Sequence, residues 1–316
     1  MSGTRSPSRK GPVTEALIVS HGQPSSPEEG EVQLKVLADR VRQQLPGWEI
    51  RSATLAAPDV FDQELAACCG EPFVYPVFMA DGWFTKKALP KHLNGRKVHQ
   101  LSPLGLHPGL PHRTVKLLKR EAEQRGWTLN SCNIMIAAHG SETGPAAADC
   151  ALYFAKRVRS LMPFKKKIHT GFLAQEPFLS LVAQVSTDRT LLLPFLAGTG
   201  SHLTEDIPQA LAEGGFRGVQ LPAIGEADFI ADLIAHSLST ARQRTGNFDP
   251  LSQPRTTLST SAGGAAASEA HLQDVAPASG ALSAQSDRRS FPGFGLAASL
   301  FGNLGWRRTT KKRQAA

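Results

Sequence analysis

Two histidines and a nearby carboxylate carry the chemistry open to this sequence. His139 stands in Ala138-His139-Gly140-Ser141, directly after the apolar run Ile134–Ala138. His202 follows a second apolar run, in Pro194-Phe-Leu-Ala-Gly198-Thr-Gly200-Ser-His202-Leu-Thr-Glu205-Asp206-Ile-Pro208. Glycines in such a loop let the backbone turn and approach a ligand closely. Imidazole nitrogens and a carboxylate suit divalent transition metals. His139, His202 and Glu205 therefore form a candidate metal site with an incomplete ligand shell. An open shell is what a protein needs if it must hold a metal and then release it to a product. Neutral imidazole also accepts a proton near pH 7, so either histidine can serve as ligand or base.

The same two motifs occur earlier in the chain. Ala16-Leu-Ile-Val-Ser-His21-Gly22 precedes Ile134-Met-Ile-Ala-Ala-His139-Gly140 by 118 positions. Pro76-Val-Phe-Met-Ala-Asp-Gly82, closing at Leu89-Pro90, precedes Pro194-Phe-Leu-Ala-Gly-Thr-Gly200, closing at Ile207-Pro208, by the same interval. Thr54-Leu55-Ala56 and Phe172-Leu173-Ala174 keep the register. Three matches in register indicate a duplication and two similar lobes. The copies differ where the chemistry lies. His21 stands opposite His139, but Phe84 replaces His202 and Lys87 replaces Glu205. A single active centre is thus expected, on the second lobe. The first lobe's loop, with Trp83, Phe84, Lys86 and Lys87, suits stacking on and charge-pairing with a flat, anionic substrate.

Each lobe reads as alternating strands and helices. A buried strand (ALIVS; NIMIAA) ends at His-Gly, and a helix follows, marked by Val32, Leu34, Val36, Leu37, Val41 and Leu45 or spanning 146–161. A second strand (IRSATLA; IHTGFLA), another helix, a third strand (FVYPVFM; TLLLPFLA), a helix near Leu-Pro or Ile-Pro, and a fourth strand (VHQLSPL; VQLPAI) complete the unit. This alternation predicts the α/β class: two similar Rossmann-like lobes, each a parallel sheet with helices on both faces. Ligands then bind at the carboxyl ends of the strands, where both motifs fall. The expected organisation is a disordered lead at 1–12, lobes at 13–126 and 127–245, and a low-complexity tail at 246–316.

Composition removes several function classes. The chain has 316 residues, 41% hydrophobic and 20% charged, with a net charge of +8. No apolar run approaches the ~20 residues of a membrane-spanning helix, and the basic, Ser/Pro-rich start lacks the apolar core of a signal peptide. Cys68, Cys69, Cys132 and Cys150 show no CxxC spacing and fit a reducing cytoplasm. The basic clusters Lys86-Lys87, Lys165–Lys167 and Arg307–Arg313 lack the interleaved aromatics of an RNA-binding sheet, so no nucleic-acid partner is expected. No Arg precedes either His-Gly, as a histidine phosphatase requires, no nucleophile elbow is present, and no GxGxxG follows the first strand. Residues 291–306 combine Phe294, Leu296, Leu300, Phe301, Leu304 and Trp306 with a following basic run, a segment able to dock a partner or a membrane surface.

The strand-His-Gly opening, the PxFLxxGxHxxxDIP segment and the duplication resemble the class II chelatases, in particular the sirohydrochlorin chelatases of CbiX and SirB type. The resemblance covers residues 14–240. It implies a chelatase fold of two lobes facing a cleft and insertion of Co2+ or Fe2+ into the anionic tetrapyrrole sirohydrochlorin. The metal is a substrate in that reaction, and no permanently bound cofactor is implied. Carried over by motif, His139, His202 and Glu205 handle metal and protons; read from the residues beside that resemblance, His21, Trp83, Phe84, Lys86, Lys87 and Ser141 contact the substrate, and Lys86, Lys87, Lys91 and Arg96 are the basic cleft groups that attract its carboxylates. Ala174 stands where the family carries Glu after Phe-Leu, with Glu176 close by. The alternative from another class is a non-catalytic carrier of tetrapyrrole or metal with the same fold.

Overall fold

Period-two burial builds the sheets. In β1 (Thr14–Ser20), Ala16 and Ile18 face one way, while Leu17 and Val19 face the other, and all four are fully buried. A strand buried on both sides needs helices on both faces. The computed structural model describes residues 13–162 and 168–246. The lead, the Lys165–Lys167 cluster and the tail with its apolar peptide lie outside the described residues.

β1 pairs in parallel with β2 (Trp48–Thr54) and β3 (Phe73–Pro76), and β3 pairs with β4 (His99–Gln100), giving the order β2-β1-β3-β4. The second lobe repeats it: β5 (Asn133–Ala138), β6 (Ile168–Phe172), β7 (Thr190–Pro194) and β8 (Val219–Gln220) form a parallel sheet ordered β6-β5-β7-β8. The fourth strands are two residues long, far shorter than the apolar runs suggested.

The outer face of the first sheet packs on α2 (Pro58–Ala67) and α3 (Leu89–Leu93) through Phe61, Leu65 and Leu89. The outer face of the second packs on α6 (Leu179–Ala183) and α7 (Ile207–Glu213) through Leu179, Ile207 and Leu211. Between the sheets lie α1 (Pro27–Gln44), α4 (Leu110–Glu123), α5 (Ala146–Leu161) and α8 (Ile230–Gly246). There α1 contacts α8 and α4 contacts α5, so the repeats interlock through one shared core. Arg40 pairs with Asp228 at 3.5 Å and Gln44 donates to Asp232 at 2.9 Å across that junction. Helices α4 and α8 escaped the sequence reading, although Leu110, Thr114, Leu118 and Ala122 recur every four residues and are buried. In α1 the reverse holds: Val32 and Val36, counted as apolar-face residues, are exposed, while Leu34, Ala38 and Val41 are buried.

The junction contains a titrating group. His107 precedes α4, half-buried, and its Nδ1 accepts the Gly109 N–H at 3.0 Å. Burial and then the nearby His236 push the His107 imidazole below its ordinary value. A folded-state value below the unfolded ~6.5 means that the unfolded chain binds the proton more readily. Stability therefore falls as pH drops below about 6.5 toward the lowered folded value. We expect urea midpoints to decline over that window and the decline to be shallower in His107→Asn. An identical slope in the variant would remove His107 as the cause.

Candidate functional site

The His-Gly turn is dictated by close approach. Gly22 and Gly140 both have positive φ, +74° and +73°. A Cβ at Gly22 would lie 2.7 Å from the Thr54 side chain, and one at Gly140 would lie 2.8 Å from Gln175 Cγ. Only glycine satisfies both demands. The preceding histidine is then pinned to the end of the neighbouring strand: Ala56 N–H donates to His21 O and Ala174 N–H to His139 O, each at 2.9 Å.

The second motif is a widened helical turn rather than a loop. Residues His202–Asp206 form a π turn in which Ile207 N–H reaches back to His202 O. Phe84–Ala88 form the same turn, with Leu89 N–H bonded to Phe84 O. Both are followed by a proline, Pro208 or Pro90. Proline lacks the N–H for an ordinary helical bond, and its ring crowds the carbonyl four residues back. Widening the turn relieves that crowding, and such turns are frequent at functional sites.

These two devices bring His139 and His202 together. Their ring centroids lie 4.4 Å apart, nearly edge to face. His139 Nδ1 is 3.0 Å from Gly140 O, and His202 Nδ1 is 2.6 Å from Asp206 Oδ2. Both rings and Asp206 line an open cleft of about 410 Å³, along with Glu142, Glu213 and Phe178. Ala174 lines it too, so no carboxylate enters from the end of β6, and Glu176 is exposed outside the lining.

Glu205 does not join the cleft; it is exposed. A turn closed by i→i+5 bonds advances less per residue than an α turn. Residue i+4, Asp206, thus falls beneath His202 and bonds it. Among the described residues no three His, Cys, Asp or Glu side chains form a ready metal cage. The expected trio of His139, His202 and Glu205 is therefore not assembled. The carboxylate that does bond His202, Asp206, had a signal in its four-residue spacing from that histidine.

In the first lobe the corresponding space is filled. The Phe84 ring lies 4.2 Å from His21, where His202 meets His139, and 5.8 Å from Phe78 in a parallel stack. Trp83 stands edge-on to Phe84 and is 66% exposed. Lys86 is exposed and pairs with Asp81 at 3.1 Å; Lys87 is exposed. Arg96, counted as a basic cleft group, instead donates to Leu65 O and Cys68 O and ties down the end of α2. His21 Nδ1 is buried without a hydrogen-bond partner. Burial and then His202 push its imidazole below the ordinary value, so His21 feels the second lobe's centre. Facing glycines link the lobes here: a Cβ at Gly200 would lie 3.3 Å from Gln23 Oε1, and one at Gly82 would lie 3.7 Å from Ala146 Cβ. Ser141 has its N–H on Gln175 Oε1 and its hydroxyl 3.2 Å from that of Thr143, outside the cleft lining.

This duplicated site has recognisable relatives. A probable sirohydrochlorin cobaltochelatase of Halobacterium salinarum is 22% identical over 221 residues, 61% of this chain and 75% of that protein. The structure of CbiX described as the terminal enzyme of siroheme biosynthesis in denitrifying bacteria is 35% identical. It superposes with a TM-score of 0.65 over 72% of this chain and 99% of that one. SirB from Bacillus subtilis, solved with Fe3+, is 13% identical and covers 74% of this chain and 98% of its own, with a TM-score of 0.58, a likeness of fold. The family model for CbiX matches twice, over residues 15–121 and 133–241, once on each half of the duplication. Both copies of the repeat thus carry the pattern of one family, and this chain belongs to the CbiX family.

Proposed function

We propose that this protein is a metal chelatase that inserts Co2+ or Fe2+ into sirohydrochlorin, with its single centre on the second lobe. The observation that carries this reading is the His139–His202 pair, 4.4 Å apart on an open cleft, in a chain whose other lobe has lost the second histidine to Phe84. The metal ion is a substrate. His139 and His202 hold it by ring nitrogen, and the partial shell lets it pass to the four nitrogens of the macrocycle. Two pyrrole N–H protons leave as the metal enters, and the imidazoles, or water beside them, accept them. Asp206, Glu142 and Glu213 make the rest of the cleft attractive to a cation. Geometry favours Asp206 over Glu205 as the acidic member of the set.

The first lobe supplies the complementary surface. Trp83 presents an exposed ring to a flat macrocycle, and Phe84 packs edge-on against it and on His21. Lys86 and Lys87 meet its peripheral carboxylates, and His21 sits between the lobes. Ser141 is a rim group. The reading places the enzyme in the cytoplasm, where its cysteines, none of them in a disulfide, stay reduced.

The test is an anaerobic absorbance assay of the full chain with sirohydrochlorin and Co2+ or Fe2+. Metal-dependent conversion faster than the protein-free rate supports the enzyme. No acceleration with either metal, beside intact tetrapyrrole binding, would favour the carrier. Within the assay, Lys86→Glu with Lys87→Glu should raise KM for the macrocycle about ten-fold at low salt, with kcat nearly unchanged and the difference shrinking at high salt. An unchanged KM would remove these lysines from the substrate surface.

A further inference from the structure

We infer that Asp206 is a positioning residue that fixes the tautomer of His202, so that both site histidines present an unprotonated Nε2 to the incoming metal; this rests on the chelatase reading. The geometry starts from what Asp206 can do. A carboxylate only accepts hydrogen bonds. With His202 Nδ1 at 2.6 Å from Asp206 Oδ2, the proton of a neutral His202 sits on Nδ1, and Nε2 keeps its lone pair.

His139 reaches the same state by another route. Its Nδ1 faces Gly140 O at 3.0 Å, and a carbonyl also only accepts. Two different acceptors, one from the backbone and one from a side chain, thus select the same tautomer in two rings that touch. Without Asp206, His202 would lose the acceptor that holds it in the same tautomer as His139.

The duplication offers an internal comparison. Phe84 stands in the first lobe where His202 stands in the second, and Ala88 stands where Asp206 stands. The π turn itself is kept, as is the proline after it. The aspartate is therefore not required to make the turn. It is present where the histidine is present and replaced where the histidine is replaced.

Ala174 sharpens the role. With no carboxylate at the end of β6, Asp206 is the cleft-lining carboxylate that sits within hydrogen-bond distance of His202. A conservative change at Asp206 should accordingly be felt through the ring rather than through folding.

The experiment uses full-chain, metal-free protein labelled with 15N-histidine. Long-range 1H–15N spectra at about pH 8.5, where ordinary imidazoles are neutral, report each ring's tautomer, with signals assigned against His202→Gln. The wild type should show His202 as Nδ1–H. In Asp206→Asn the amide can donate to Nδ1, as in a catalytic triad whose aspartate is changed to asparagine, and His202 should move to Nε2–H. Co2+ affinity, followed by visible absorption, should fall about 10- to 100-fold. Asp206→Ala should lose the tautomer bias as well. Finding Nε2–H in the wild type would overturn the inference. So would an unchanged tautomer in both variants beside weakened Co2+ binding, which would make Asp206 a direct ligand. A wild type that shows the Asp206-dependent tautomer but inserts no metal defeats the chelatase reading and leaves the positioning role standing.

Discussion

Replacing His202 by alanine should slow metal insertion by at least about 10²-fold while leaving binding of the tetrapyrrole within a few-fold of wild type. The expectation follows from how little else the cleft offers. Among the described residues the two adjoining imidazoles belong to His139 and His202, and no preformed cage of three acidic, thiol or imidazole groups stands beside them. Removing one ring leaves His139 with carboxylates that are not gathered around it. His21 cannot take over. Its Nδ1 is buried, and its ring is packed against Phe84. The proposed substrate surface, by contrast, is Trp83, Lys86 and Lys87 of the other lobe, which the substitution does not touch. A single-turnover measurement with excess enzyme separates the two effects: amplitude reports bound macrocycle and rate reports insertion. An insertion rate equal to wild type would remove His202 from the mechanism.

How much of this site could be read from residue order alone depends on the length scale of each contact. The strand-His-Gly turn was legible because a local rule sets it: an apolar run must end, and glycine must follow where φ is positive and the next strand is close. The pairing of His139 with His202 was legible through the repeat, since parallel strands deliver their carboxyl ends to one edge. Which of Glu205 and Asp206 bonds His202 was not. It turns on whether three or four residues complete the geometry, and hence on a π turn produced by a proline two residues beyond. The role of α4 and α8 was hidden for another reason. Their buried faces meet the opposite lobe: α8 packs on α1, with a side-chain bond there between residues 188 positions apart, and α4 packs on α5 of the next repeat. Arg96 shows the converse error, in which a charge that looks available in sequence is spent on two backbone carbonyls. Asp81 likewise pairs with Lys86, which leaves Lys87, exposed, as the lysine of that loop with no ion pair among the described residues.

Substituting Gly225 by alanine should be the most damaging small change in the second lobe. Gly225 lies in the short helical turn Ile224–Glu226, and its N–H donates to Leu196 O at 3.0 Å. A Cβ there would stand 2.0 Å from Ala197 O. That neighbour is backbone, so it cannot swing aside as a flexible side chain would. Overpacking of this kind costs about 3 kcal/mol, a fall in melting temperature of roughly 6–12 °C for a protein of this size. The displaced segment matters as much as the loss. Ala197 begins the stretch that runs through Gly198 and Gly200 to His202, so the backbone that must yield is the root of the His202 turn, the proposed metal site. Gly105 is the counterpart in the first lobe, with a Cβ 2.0 Å from Met79 O and its N–H on Phe78 O at 2.9 Å. Gly105→Ala should therefore destabilise by a similar amount but disturb the loop of Trp83 and Phe84 instead. Assayed well below their melting temperatures, the twin variants should separate: Gly225→Ala lowers Co2+ affinity, whereas Gly105→Ala raises KM for the macrocycle. Equal effects of both on both readouts would mean that the lobes do not divide the work between metal and tetrapyrrole. A Gly225→Ala protein that melts with the wild type would show that the turn and the loop are not in contact.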